Sequence, residues 1–151
     1  LQETLLQYPS LLVLVPVTIG MAGNLGAIMA SRLSTATHLG LLSFEPTDET
    51  LAGNAIATVA LAATLFPVVG ASAWAVQSVV GQTALPVATV VFVATLCGGI
   101  LAVLSVVVSV AATYVAFRVG ADPDDVVLPV VTNTCDVLGV LVLFAVVRLF
   151  V

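Results

Sequence analysis

Four long apolar runs dominate this sequence and leave few architectures open. They cover residues 9–32, 51–80, 85–118 and 126–151. Each reaches or exceeds the roughly 20 residues that an α-helix needs to cross the hydrocarbon core of a bilayer, which is about 30 Å thick. A transmembrane β-barrel would instead show alternating segments of about 10 residues. We therefore predict an all-α membrane protein with four transmembrane helices.

The composition supports a membrane protein and excludes several functions. Hydrophobic residues make up 61% of the chain and charged residues 7%, whereas soluble domains are about half apolar and a quarter charged. The chain has three basic residues, so it lacks the clustered positive surface that nucleic-acid binding requires. Its 151 residues have the length of one domain. We expect residues 1–151 to form a single transmembrane domain, within which the function must lie.

The basic residues predict how the chain crosses the membrane. Arg32 and Arg118 end the first and third apolar runs, and Arg148 alone lies near the far end of the fourth. Because cytoplasmic loops carry more arginine and lysine than external loops, we place the loops after the first and third runs in the cytoplasm of a multi-pass cell-membrane protein. The N-terminal end then lies outside. Residues 1–7 do not form a signal peptide, so we expect a preceding hydrophobic helix to have delivered this end to the outside.

Asp136 is an acid in the middle of the fourth apolar run. An ionised group inside a bilayer costs several kcal/mol or more unless it faces a cavity, a partner or an ion, so such residues are functional candidates. Asn24 occupies a similar place in the first run. At about 1.5 Å per residue, both side chains fall near the middle of their helices, which would let them meet at the midplane of the bilayer.

Two interpretations of the glycines around Asn24 stay open. Gly20, Gly23 and Gly26 recur every third residue, and a face of small residues lets another helix approach closely. Alternatively, the glycines loosen the helix and expose backbone carbonyls beside the Asn24 amide. Carbonyl, amide and carboxylate oxygens together form a site for a hard cation, to which Asp136 would contribute the charge.

The remaining polar residues are expected to be solvated or structural. His38, Glu45, Asp48 and Glu49 lie in the polar segment between the first two runs, where a lone loop histidine is more often solvated than a ligand. Both cysteines fall inside apolar runs, where thiols behave as small buried hydrophobes. We assign no role to either cysteine.

Two groups of residues form motifs along the chain. The first comprises Pro16, Asn24-Leu25-Gly26 and Arg32-Leu33-Ser34. The second comprises Gly120-Ala121-Asp122-Pro123, Pro129 and Thr134-Cys135-Asp136-Val137. Together these motifs resemble those of the MgtE-like magnesium transporters, a family that includes eukaryotic solute carriers. The membrane domain of that family has five helices, and this sequence resembles the second to the fifth.

The resemblance implies a homodimer, or a pseudo-dimer in members with tandem repeats, with a cation pore where the last helices of the two halves meet. It implies that Asp136 holds a hydrated divalent ion at the centre of the pore, that Asp122 lines its cytoplasmic mouth and that Asn24 supports its wall. Mg²⁺ is then the transported ion, and no organic cofactor is required. The further pore-supporting residues are Gly23, Gly26, Pro129, Asn133 and Thr134. Pro129 has no N–H to donate and so frees a backbone carbonyl near the cytoplasmic end of its helix.

The chemistry of the predicted site suits Mg²⁺. This ion demands octahedral oxygen coordination, gives up its water reluctantly and is usually held by one or two carboxylates. One Asp136 per subunit, doubled by a two-fold axis, supplies two carboxylates for one ion. So few ligands favour passage over storage, since conduction requires binding that is weak enough to release the ion.

Two other functions stay open beside transport, those of an intramembrane protease and of a structural membrane subunit. An intramembrane protease needs two carboxylates for acid and base catalysis, and this chain has one mid-span acid and lacks the glycine-aspartate motif of such proteases. A structural helical subunit would instead use Asp136 as a buried helix-pairing residue. We expect a transporter and not an enzyme.

Overall fold

The structure is a computed structural model that describes residues 9–45, 47–81 and 85–151. It contains four long α-helices and, within these ranges, no β-strand. The helices are α1 (Pro9–His38), α2 (Glu49–Val80), α3 (Val87–Val119) and α4 (Pro123–Phe150). Each is long and apolar enough to cross a membrane. The predicted all-α protein with four transmembrane helices is therefore confirmed.

The first helix is longer than its apolar run. That run ends at Arg32, but α1 continues to His38. Leu33 and Ala36 are buried in this last stretch, and the Thr37 hydroxyl donates a hydrogen bond to the carbonyl oxygen of Leu33 at 2.8 Å. A residue whose polar side chain donates a hydrogen bond to the preceding turn can remain within the helix. The expectation that His38 lies in a loop is therefore wrong, and His38 is the last residue of α1.

Asp48 caps the N-terminus of α2 and is not a solvated loop residue. It is buried, its Oδ1 accepts the N–H of Leu51 at 2.9 Å, and its Oδ2 accepts the N–H of Ser43 at 2.7 Å. These bonds, that of Leu51 foremost, lower the pKa of Asp48 below its ordinary value, because they favour the charged carboxylate. A capping aspartate also satisfies an N–H group that the first turn leaves unpaired. Glu45 and Glu49 are exposed, as expected.

Glycines end the second and third helices. Gly81 and Gly120 adopt left-handed backbone conformations with φ of 75° and 70°, which glycine reaches without the steric cost that a Cβ imposes. Asp122 then caps α4, and Pro123 lies in its first turn, where the missing N–H costs nothing. As a result α4 begins at Pro123, ahead of the apolar run that starts at residue 126.

The helices form a bundle in which α1 and α3 occupy the middle. Each of these two packs against all the others, whereas α2 and α4 make no contact with each other over the described ranges. Ser34 near the end of α1 donates a hydrogen bond to Asp124 at the start of α4, and Arg32 donates to Asn54 near the start of α2. The loops after α1 and α3 therefore lie at the same end of the bundle, as the arginines predict.

Much of the outer surface is apolar, as a bilayer requires. Val103, Val107 and Val115 on α3 are each more than half exposed. Contiguous apolar surface of this kind is rare on soluble monomers and common where a protein meets lipid or another protein. A binding site that opens to the outside is therefore expected where the outer surface is polar.

Candidate cation site

Asp136 packs against a glycine of α1. Its carboxylate contacts Gly23 so closely that a Cβ at Gly23 would collide with Asp136 Oδ1. Any residue other than glycine carries this carbon atom, so at this position only glycine leaves room for the carboxylate. Gly23 directly precedes the motif residue Asn24 of α1, and Asp136 belongs to the second motif, so the contact brings the two motifs close together.

One oxygen of the Asp136 carboxylate, Oδ1, is buried without a hydrogen-bond partner among the described residues. The residue as a whole is only half-buried. The carboxylate therefore reaches from the packed contact between α1 and α4 to the outer face of the bundle. A buried polar atom left without a partner costs about 1–3 kcal/mol, and more when the group is charged. Oδ1 itself faces Gly23, so a cation at the outer face would meet the carboxylate away from this oxygen and would offset the negative charge that its two oxygens share.

Small residues bring α1 and α4 together beside this carboxylate. A Cβ at Gly26 would meet Cys135 Sγ and Val131 Cγ1, each at 2.8 Å. On the other side, a Cβ at Gly139 would meet Ala22 Cβ at 3.2 Å. Close approach through small residues is the usual way in which membrane helices pack, because hydrocarbon provides no hydrophobic force between them.

Of the two interpretations of the glycine run, the structure shows close approach, because α1 stays helical through residues 20–26 and is not loosened there. Gly26 lets α4 approach, whereas Gly23 makes room for the carboxylate itself. A Cβ at Gly20 would meet nothing within 4 Å among the described residues, so Gly20 does not belong to the packed face. The spacing of three does not make one packed stripe, since each step of three residues rotates the direction by about 60° and Gly20 and Gly26 therefore point about 120° apart.

A line of buried hydroxyl groups on α3 supports both helices of the site. Ser105, Ser109 and Thr113 recur every fourth residue and are fully buried. The Ser109 hydroxyl donates a hydrogen bond to the carbonyl oxygen of Gly26 at 3.3 Å, and the Cys135 thiol donates to the Ser105 hydroxyl at 3.5 Å. These residues were not predicted, although hydroxyls at intervals of four within an apolar run are a detectable helical signal.

Most of the other predicted site residues are exposed on the surface of the bundle. Asn24 on α1 is exposed, as are Pro129, Asn133 and Thr134 on α4. Asn24 directly follows the glycine that contacts Asp136, so its side chain is turned about 100° away from that contact. The Thr134 hydroxyl donates to a carbonyl of its own helix at 2.7 Å. The structure therefore brings Gly23, rather than Asn24, against the carboxylate.

Asp122 lies apart from Asp136 at the end of the bundle that contains the loops after α1 and α3. It caps α4, and the intervening residues of the helix place it roughly 20 Å from Asp136 at about 1.5 Å per residue. Asp122 Oδ1 lies 3.4 Å from Nε2 of His38, a contact that the sequence did not suggest. The two acids therefore belong to different depths of the membrane.

Both cysteines are free and buried, as expected for small apolar side chains.

Comparison with known proteins relates the chain to a family. Residues 15–146 match the family model of MgtE, which is described as a divalent cation transporter. The match covers most of the chain and includes all residues of the two motifs. No solved structure matches the chain.

Proposed function

Because the chain belongs to the MgtE family of divalent cation transporters, we propose that it carries Mg²⁺ across the cell membrane through a pore formed where two copies of the chain meet. Residues 1–151 serve as one transmembrane domain. Asp136 holds the hydrated ion at the middle of the pore, and the ion is the substrate of the protein.

The unpaired oxygen of Asp136 carries this proposal. A structural acid in a membrane helix is expected to have a partner within the bundle, because an unsatisfied polar group is costly in hydrocarbon. Gly23 leaves space for Asp136 Oδ1, but no group in the part of the chain that the structure describes donates a hydrogen bond to this oxygen. A carboxylate that is held in place but not neutralised by its own chain is suited to a mobile cation.

The half-exposed position of Asp136 favours a pore between two copies. One carboxylate on the outer face of a four-helix bundle cannot surround a hydrated ion. A two-fold axis beside α1 and α4 would place two Asp136 side chains on opposite sides of one Mg²⁺, and the ion would offset the repulsion between their charges. Most of its water ligands would be retained, as Mg²⁺ prefers.

The remaining site residues take supporting roles. Exposed Asn24 and Asn133 offer amide oxygens to the water shell of the ion, and Asp122 attracts cations to the cytoplasmic mouth. Gly26 holds α1 against α4. Within one chain the catalytic alternative lacks a partner for Asp136, because the other acids at described positions lie in loops or in the first turns of α2 and α4. A second copy could supply another Asp136, but the glycine-aspartate motif of such proteases is absent from the sequence.

Replacing Asn24 with alanine tests whether this residue lies on the ion path. We expect Mg²⁺ flux into proteoliposomes to fall severalfold while the melting temperature in detergent stays unchanged, because an exposed amide contributes little to packing and its removal leaves no buried group unsatisfied. Thr64→Ala is the matched control, since Thr64 is also exposed at the middle of a helix but lies on α2, which does not touch α4. Normal transport by Asn24→Ala would remove Asn24 from the site.

Cysteine crosslinking tests the two-fold pore. Val140 is exposed and lies one turn beyond Asp136, so both point to the same side of α4. In a background without Cys97 and Cys135, we expect Val140→Cys to crosslink to its twin in membranes. Val103→Cys, at the middle of α3 and equally open to the outside, should not crosslink. An active protein in which neither variant forms a dimer would rule out this interface.

A further inference from the structure

Three metal-binding side chains converge at the loop end of the bundle. His38 Nε2 lies 3.4 Å from Asp122 Oδ1 and 3.3 Å from Asp124 Oδ2. One ligand atom of each residue lies within 4.8 Å of the others. The imidazole comes from the last turn of α1 and both carboxylates from the start of α4, so the cluster joins two helices. We refer to these three residues as the His38 cluster.

Other contacts hold the carboxylates of the His38 cluster in place. The buried Ser34 hydroxyl donates a hydrogen bond to Asp124 Oδ1 at 2.6 Å. The Asp124 N–H donates to Asp122 Oδ1 at 3.0 Å. The Ser34 bond leaves Asp124 Oδ2, the oxygen that faces His38, available to a ligand. Asp122 Oδ1 faces His38 as well as accepting the Asp124 N–H, and a carboxylate oxygen has a second lone pair for a ligand. Outer hydrogen bonds of this kind orient metal ligands and strengthen binding.

The donor set and its spacing indicate a transition-metal ion. Zn²⁺ binds imidazole nitrogen and carboxylate oxygen at about 2.0–2.2 Å in tetrahedral geometry, which sets neighbouring ligand atoms roughly 3.3–3.6 Å apart. The two nitrogen–oxygen distances at His38 agree with such edges. Mg²⁺ instead takes oxygen ligands in an octahedron, and an imidazole suits it poorly.

The charge around the His38 cluster favours a cation. Three acids lie at the start of α4, where the helix dipole is positive, and together they outweigh that partial charge. His38 lies at the C-terminal end of α1, where the dipole is negative and stabilises a cation. The cluster is half-exposed, so water can complete the coordination and an ion can enter.

We propose that His38, Asp122 and Asp124 form a binding site for Zn²⁺ or a similar transition-metal ion, separate from the Mg²⁺ site at Asp136. A bound ion would clamp the end of α1 to the start of α4. This inference does not depend on transport through Asp136, because binding at the cluster needs only these three side chains.

Calorimetry with Zn²⁺ on the purified full chain in detergent tests the proposal. We expect one Zn²⁺ per chain at the cluster. Since loss of an outer-shell partner alone typically weakens binding by about 10–100-fold, His38→Ala and Asp124→Asn should each weaken Zn²⁺ binding by at least about 10-fold. Asp125→Asn is the matched control, because Asp125 is exposed in the same turn but lies outside the cluster, and it should bind Zn²⁺ like the unchanged chain.

Repeating the titration in the Asp136→Asn background separates this site from the pore. There the loss on His38→Ala should be the same, whatever the fate of transport. Co²⁺ provides a second readout, since its visible absorption should reveal a nitrogen ligand that disappears with His38→Ala. Equal Zn²⁺ affinity with and without His38 would overturn the proposal and leave an imidazole that only hydrogen-bonds two carboxylates. Equal losses in Asp125→Asn would overturn it as well, by showing non-specific attraction to acids.

Discussion

Asparagine or alanine in place of Asp136 is expected to reduce Mg²⁺ flux to the background of empty liposomes while the protein stays folded. Asparagine keeps an oxygen but removes the charge that holds a hydrated cation, and alanine removes both. The fold should survive, because Asp136 Oδ1 has no hydrogen-bond partner over residues 9–45, 47–81 and 85–151, and loss of an unpaired buried charge removes a cost rather than a stabilising contact. Flux is measured with an Mg²⁺ indicator in proteoliposomes, and folding by the melting temperature in detergent.

Asp125→Asn is the control for this pair of variants. Asp125 lies in the first turn of the same helix and is exposed, so this change also removes one negative charge from α4 without touching the middle of the membrane. We expect its flux to remain close to that of the unchanged chain. If Asp136→Asn transports Mg²⁺ at a similar rate, the proposed ion site is wrong.

Gly23→Ala is expected to abolish most of the flux by a different route. The new Cβ would occupy the place of Asp136 Oδ1, so the carboxylate must turn away or α1 must move from α4. Packing an extra carbon into such a contact costs about 1–3 kcal/mol, which is less than the roughly 5–15 kcal/mol by which folded proteins are typically stable. We therefore expect a folded protein whose Mg²⁺ flux falls far more than its melting temperature.

Two alanine variants separate the effects of packing and of the site. Gly26→Ala introduces a similar clash, but with Cys135 and Val131 rather than the carboxylate, so its flux and melting temperature should fall together. Gly99→Ala adds a Cβ in open space on α3 and should leave flux unchanged. If Gly23→Ala behaves like Gly26→Ala, then Gly23 serves packing alone.

The four membrane-spanning segments could be predicted from the sequence, because the bilayer requires them to be helical. The exact ends of the helices could not, because local contacts determine them. Four spans follow from apolar runs, because a segment in hydrocarbon must satisfy its backbone groups by forming a helix. The continuation of α1 to His38 could not be predicted, because it depends on Leu33 and Ala36 being buried against other helices. Asp48 looks like any acid in a polar loop until its capping bonds to Ser43 and Leu51 are known.

The residues of the candidate site could likewise be predicted only in part. Asp136 stands out in the sequence because a lone acid in an apolar run is rare and costly. Its contact with Gly23 was not predictable, since it depends on the rotation of α1 and α4 about their axes, and the glycine spacing alone allows several rotations. The support from Ser105 and Ser109 depends in turn on which side of α3 faces the site.

The membrane location, the four helices and the family could be read from the amino-acid sequence, because hydropathy over some 20 residues and motif residues are properties of the chain alone. Three features became known only from the folded bundle: Gly23 rather than Asn24 meets Asp136, one oxygen of this acid has no partner among the described residues, and His38 joins two aspartates. All three depend on contacts between residues of different helices. Which side chains meet is set by how the helices pack, and small residues allow close approach in more than one register.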